Sequence, residues 1–186
     1  MHPIEALVVP LGLSLRKRRP DGNAGLGNDP DLAGPQHIRL TSPSFEEGGT
    51  IPKRHCGQLI GQDISPALAW SPLPRQTKSA LLVVEDLDAL RARPGIQTIV
   101  AFVPNPAGLA EGALQPGNRA LQFMAPGDRY NGPRPLPGHG IHRYRFHLSA
   151  VDLQIDLARF AGPDLLLAAL AGHVLASGAL TGKRSA

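Results

Sequence analysis

Residues Tyr130 to Ser149 read YNGPRPLPGHGIHRYRFHLS, a Gly/Pro loop that runs directly into a strand. Gly132, Pro133, Pro135, Pro137, Gly138 and Gly140 exclude regular helix, because proline fixes φ and removes a donor while glycine favours irregular backbone. Beyond Ile141 the residues alternate. His142, Tyr144, Phe146 and Leu148 fall on one face of the strand, and Arg143, Arg145 and His147 on the other. Phe146 and Leu148 direct the first face to a core. His142 and Tyr144 therefore point inward at the strand's entry end, beneath the loop. Two hydrogen-bonding side chains at the mouth of an apolar face, under a rigid lid, make a small pocket on one reading. On the plainer reading they are core residues satisfied by backbone carbonyls.

The chain has 186 residues, enough for one domain with its own core. Aromatics make up only 4%, so aliphatic side chains must fill that core. The 21 glycines and 19 prolines imply turns and irregular loops and argue against a helical bundle. A single cysteine, Cys56, excludes an internal disulfide framework. The net charge of +4 is a weak pointer to an anionic partner. No apolar run is long enough for stable membrane insertion. The apolar stretch from Ile4 to Leu15 precedes its positive charges, Arg16 to Arg19, which is the reverse of a secretory signal. The expectation is a cytoplasmic protein.

Residues 1–36 read as a separate unit, a helical arm and linker ahead of a domain spanning 37–186. Ile4, Leu7, Val8, Leu11 and Leu15 recur at helical spacing, interrupted by Pro10. This stripe is too short to hold a helix alone in water, so it should pack on the body or across a homodimer. DGNAGLGNDPDLAGP then reads as a flexible connector. The four basic residues lack interleaved aromatics, which argues against nucleic acid. In the body, Ile38, Leu40 and the following TSPSF suggest a first strand and turn. Ala80 to Asp86 is apolar on both faces, as expected of a central strand covered on both sides. Ile99 to Val103 is a second buried run, stopped by Pro104 and Pro106. Gly108 to Gly127 reads as loop with short extended pieces. From Pro163 and Asp164 a helix begins, with Leu166, Leu167, Leu170, Val174 and Leu175 on one face and Gly178 to end it. Ala179 to Gly182 adds a short last strand.

The block Tyr130, Gly132, Pro133, Pro135, Gly138, Gly140, His142, Arg143, Tyr144 and Phe146 resembles the phosphatidylethanolamine-binding protein family, which includes the Raf kinase inhibitor proteins. Two further segments agree with it: Phe45 to Pro52 followed by His55, and Ser65-Pro66-Ala67-Leu68-Ala69-Trp70. The resemblance covers about His37 to Gly182 and implies a mainly-β (α+β) fold with antiparallel strands, here with a C-terminal helix and a helical N-terminal arm. It also implies an anion site where strand ends meet. That site draws on an Asp-Pro-Asp-Ala-Pro motif, a His-Trp pair and the His and Tyr of His-Arg-Tyr. Carried onto this chain, the ligand-binding residues are Asp86, Asp88, Gln97, Gly132, Pro133, His142 and Tyr144. Both acids survive in Asp86-Leu87-Asp88-Ala89-Leu90, but both prolines are lost, which should leave this loop less rigid. The His-Trp pair stands as Gln97-Thr98. Glutamine donates a neutral hydrogen bond and carries no proton charge, so the pocket should hold a dianion less well. Without the resemblance, the acid pair reads as a strand-end turn.

Other constellations are weaker. His139 and His142 have the spacing of metal ligands but no third ligand close in sequence, so no metal is expected. Cys56 beside His55 would point to the opposite face of a strand. No nucleophile elbow or phosphate loop occurs, and no cofactor is expected. The leading expectation is a binding protein for a small phosphate-like anion, without catalytic residues. The second is a protein-interaction or inhibitor role with a vestigial pocket and a protein partner. A hydrolase using Asp86 and His142 ranks last for want of a nucleophile.

Overall fold

The structure is a computed structural model that describes residues 3–58, 60–106, 108–125 and 127–185. Its centre is β4, Ser79–Asp86, which is buried along its whole length. The run Ala80-Leu81-Leu82-Val83-Val84 is apolar at every position, so neither face tolerates water and both are covered. The neighbours of β4 are β7, Ile141–Val151, and β5, Gly95–Phe102, both antiparallel to it. The sheet is completed by β8, Val174–Ser185, β1, Gln36–His37, and β6, Leu121–Phe123, in the order β1-β8-β7-β4-β5-β6. All these pairings are antiparallel except β1 on β8. A second, two-stranded sheet pairs β2, Leu40–Thr41, with β3, Ala69–Trp70.

Strand alternation divides the core in two. Leu82, Val84, Val100, Phe146 and Leu148 pack with Ile38, Phe45, Ile51, Leu68, Leu114 and Tyr130 from the loops. On the other face Leu81, Val83, Ile99 and Ala101 meet Leu157, Leu166 and Leu170. Leu32, also in this second core, comes from the segment expected to be a flexible connector. That segment is instead three 3-10 turns, Gly22–Ala24, Leu26–Asn28 and Pro30–Leu32. The buried Glu85 carboxylate accepts from Leu26 N at 2.7 Å and Gly27 N at 2.9 Å. Ser149 Oγ donates to Leu32 O at 3.1 Å, and Arg145 bonds the Asn28 side chain. Polar groups on the strands' far face thus tie down a chain rich in glycine.

The C-terminal region also departs from expectation. Helix α2 is only Pro163–Leu170. Gly172, with φ +78°, turns the chain, and Val174 opens a twelve-residue strand. Val174, Ala176, Gly178, Leu180 and Gly182 are buried in alternation, so a period of two outcompetes the helical spacing once the edge of β7 is available.

The arm is helical as expected. Helix α1 spans Pro3–Leu15 and includes Pro10. It docks on its own chain, but with a different stripe from the one anticipated. Leu7 is 80% exposed and Leu11 53%, whereas Gly12 is buried and Val8 and Leu15 are half-buried. The side chain of Ile4 lies outside the described residues. The reason is steric: a Cβ on Gly12 would overlap Pro137 O, so only glycine allows the helix backbone to lie on the 137–140 loop. Among the described residues, no helix is long and apolar enough to cross a membrane.

Candidate functional site

The C-terminal end of β4 meets the N-terminal end of β7, which brings Asp86 opposite Tyr144. His142 lies one step further along the same face. His142 Nδ1 is 2.9 Å from Asp86 Oδ2 and 3.1 Å from Oδ1. Its Nε2 is 2.7 Å from Nδ1 of His139, a ring the loop folds back onto the strand. His142 is 3% exposed and Tyr144 0%. The two rings stack with centroids 6.3 Å apart.

Tyr144 Oη is buried and has no hydrogen-bond partner. The Asp86 carboxylate and the Arg134 backbone lie near it without making a hydrogen bond of standard geometry. Burial first, and then the Asp86 charge, push the phenol far above its ordinary range, so it remains an O–H donor. Nε of Arg184, which lies across from His142 on β8, is a second buried donor without a partner. Tyr130, equally buried, donates to His55 O at 3.1 Å. His55 places Nδ1 2.8 Å from Ile64 O, and burial holds its basicity down.

The remaining expected residues divide. Asp88 is taken up by Arg143, which donates to it through N at 2.8 Å, Nε at 2.9 Å and Nη2 at 3.0 Å. Burial alone would raise the Asp88 carboxyl, but these bonds and the nearby Arg19 outweigh it and hold the group below its ordinary range. Asp86 Oδ1 also accepts from Asp88 N at 2.9 Å, and Leu87 N donates to Arg143 O at 2.8 Å. The turn expected to be loose without its prolines is therefore pinned by hydrogen bonds. Asp88 acts as a structural clamp, and its lone pairs are not free for an anion's donors.

Gly132 N donates to Asp63 Oδ1 at 2.7 Å, and Pro133 O accepts from Gly57 N at 3.0 Å, so both shape the loop and neither offers a free donor. Gln97 stands where β5 shifts register against β4. It is half-exposed and lines a groove of about 460 Å³ with Arg91, Thr98, Phe123, Arg129 and Asn131. Its amide reaches Gly95, the pairing partner of Asp86, so Gln97 sits at the rim. Among the described residues no group of three or more His, Cys, Asp or Glu is placed to hold a metal.

This geometry, with buried Asp86, His142 and Tyr144 at the strand ends, coincides with a family match over residues 41–185, described as phosphatidylethanolamine-binding protein. The chain belongs to the phosphatidylethanolamine-binding protein family. Among its relatives, a UPF0098 protein of Methanothermobacter thermautotrophicus is 32% identical over 155 residues, covering 78% of this chain and 97% of that one. The crystal structure of a Chlamydia trachomatis phosphatidylethanolamine-binding protein homologue superimposes with a TM-score of 0.67 at 32% identity, over 80% of this chain and 97% of that one. Escherichia coli YbcL shares the fold, with a TM-score of 0.67 at 22% identity, over 81% and 99% of the two chains. One more distant relative, LppC of Mycobacterium tuberculosis, is named as a candidate lipoprotein; it is 28% identical over 64% of this chain and 58% of that one. The family match begins after α1 and the 3-10 turns, so the arm lies outside it.

Two site features were missed in the sequence. In the sequence His139 reads only as a metal ligand, although its spacing from His142 is visible there. Arg184 has no local signal, because its place depends on the pairing of β8 with β7.

Proposed function

We propose that this protein binds a small anion of the phosphate or phospho-headgroup type at Tyr144 and Arg184, with His142 adding its Nε2 once His139 has moved off it. The observation that carries the reading is Tyr144 Oη, a buried phenol kept protonated with no acceptor of its own. A buried donor without a partner is costly, and an anionic oxygen would satisfy it. Arg184 Nε would supply a charged donor in a site where Gln97 cannot. Asp86 fixes the His142 ring, as carboxylates do for histidines elsewhere.

Binding is favoured over catalysis by the engagement of both His142 nitrogens, which leaves no base facing a nucleophile. The buried Cys56 thiol, raised above its ordinary range chiefly by burial, is a poor candidate for one. Phosphate calorimetry tests the reading. Tyr144→Phe should weaken binding by about three- to tenfold, the worth of one buried hydrogen bond. Equal affinity in the two proteins would remove Tyr144 from the site.

A second reading, an interaction module, is favoured by α1, which displays Leu7, Leu11 and Leu13 to solvent ahead of Arg16, Lys17 and Arg18. Light scattering of the full chain, compared with Leu7→Gln/Leu11→Gln, tests whether this face joins two copies. A monomer in both cases would exclude a homodimer through it.

A further inference from the structure

His139 joins the site to the arm. Its Nε2 lies 3.0 Å from Leu15 O and 3.2 Å from Arg18 O, at the C-terminal end of α1. Carbonyls only accept, so this nitrogen carries a hydrogen. A neutral His139 then accepts at Nδ1, and His142 Nε2 must donate to it. His142 Nδ1 faces the Asp86 carboxylate, and that link also needs a hydrogen. Asp86 to His142, His142 to His139 and His139 to the arm make three links and need three protons, whereas a carboxylate and two neutral imidazoles carry two. Without the third proton, two acceptors face each other somewhere along the chain of contacts.

The charged surroundings decide where that proton sits. Arg19 donates to Ile141 O at 3.0 Å and His139 O at 2.9 Å and lies 3.4 Å from Asp88. Arg16 also approaches Gly140. Arg184 faces His142 from β8, Arg143 is neutralised by Asp88, and Tyr144 is uncharged. Burial first, and then Arg19 and His142, disfavour a charge on His139. The geometry places the third proton at the link between Asp86 and His142, the one contact of the three that pairs an imidazole with an anion. Beyond His139 and Arg19, the arm is held backbone against backbone: Gly12 on Pro137, and Gly138 on Val9. A thirteen-residue helix containing proline does not persist alone, so docking is what keeps α1 formed.

We propose that residues 3–19 are an inbuilt plug on the Asp86–His142–Tyr144 site, latched through His139, and released when the site loses a proton or an anion takes His142 Nε2. The docked form holds one proton more than the released form, so docking weakens as pH rises. An anion that bonds His142 Nε2 must displace His139, and His139 then lets go of Leu15 and Arg18. The anion half of this proposal rests on the function proposed above, and the latch half does not.

Amide hydrogen exchange on the full chain, read as protection factors for Val8 to Leu15 corrected for intrinsic exchange, tests the latch at about pH 5.5 and about pH 8. Protection should fall about three- to tenfold between them, the worth of one lost buried hydrogen bond. In His139→Gln, whose amide can donate both to Leu15 O and to a bare His142 Nε2, the docked form needs no third proton and the pH dependence should vanish. Equal protection at both pH values in the parent, or an unchanged slope in His139→Gln, overturns the latch. Gly12→Val tests the plug without touching the site. It should abolish protection at both pH values and tighten inorganic phosphate at least about threefold, because the competent fraction rises. Lost protection with unchanged phosphate affinity overturns the plug. Phosphate binding to neither protein overturns the anion reading, and the exchange result then decides the latch by itself.

Discussion

Tyr130 and Tyr144 offer a matched pair of deletions. Both are fully buried, and both belong to the core that contains Phe146. They differ in one atom's surroundings: Tyr130 Oη donates to His55 O, and Tyr144 Oη has no partner. Removing the Tyr130 hydroxyl deletes a made hydrogen bond and orphans a carbonyl, at a cost of about 1 kcal/mol. Removing the Tyr144 hydroxyl deletes a desolvated donor that has lost its water and gained nothing. An unpartnered hydroxyl costs about 1–3 kcal/mol to bury, and the void left by one oxygen returns part of that, so the net gain is about 1 kcal/mol. For a chain of this size, 1 kcal/mol moves Tm by about 2–4 °C. Tyr130→Phe should therefore lower Tm by that amount, and Tyr144→Phe should raise it by that amount. Calorimetric melts in a buffer free of phosphate measure both. Repeated with phosphate, the parent should gain stability by mass action and Tyr144→Phe should gain less. If Tyr144→Phe falls as far as Tyr130→Phe, its hydroxyl has a buried acceptor, and the site has lost its donor.

Three further outcomes are expected. Gln97→His should tighten phosphate several-fold at about pH 6 and little at about pH 8, since only a protonated ring adds a charged donor at the rim; calorimetry at the two pH values checks it. Asp88→Asn should destabilise near neutral pH. Because the folded carboxyl is held below its ordinary range, the parent's advantage is present above about pH 4 and is lost as pH falls through the folded value, so urea midpoints should converge in acid. Glu85→Ala strands one buried and one half-buried backbone N–H and should cost about 2–4 kcal/mol in urea unfolding, with the 22–34 segment becoming cleavable by protease.

The strand that carries the site was legible in the chain itself. Alternation is a local property with a period of two, so the inward direction of His142, Tyr144, Phe146 and Leu148 followed once the segment was read as a strand. The run from Ala80 to Val84 announced a central strand for a similar reason, since side chains that are apolar on both faces need cover on both. The family resemblance carried both Asp86 and Asp88 to the site at its end, and of the two Asp86 meets His142.

What remained hidden depended on partners far away in the chain. The 174–185 segment carries spacings compatible with either helix or strand, and only the free edge of β7 decides between them. Asp86 and Asp88 look equivalent in sequence, yet opposite directions at the strand end commit one to His142 and the other to Arg143. The partners of His139 are 124 and 121 positions away, in an arm whose apparent apolar stripe leaves Leu7 and Leu11 facing water. Hydrophobic spacing reports which residues are able to be buried. The shape of the surface that receives them, here a loop that admits only the glycine face of α1, determines which of them are.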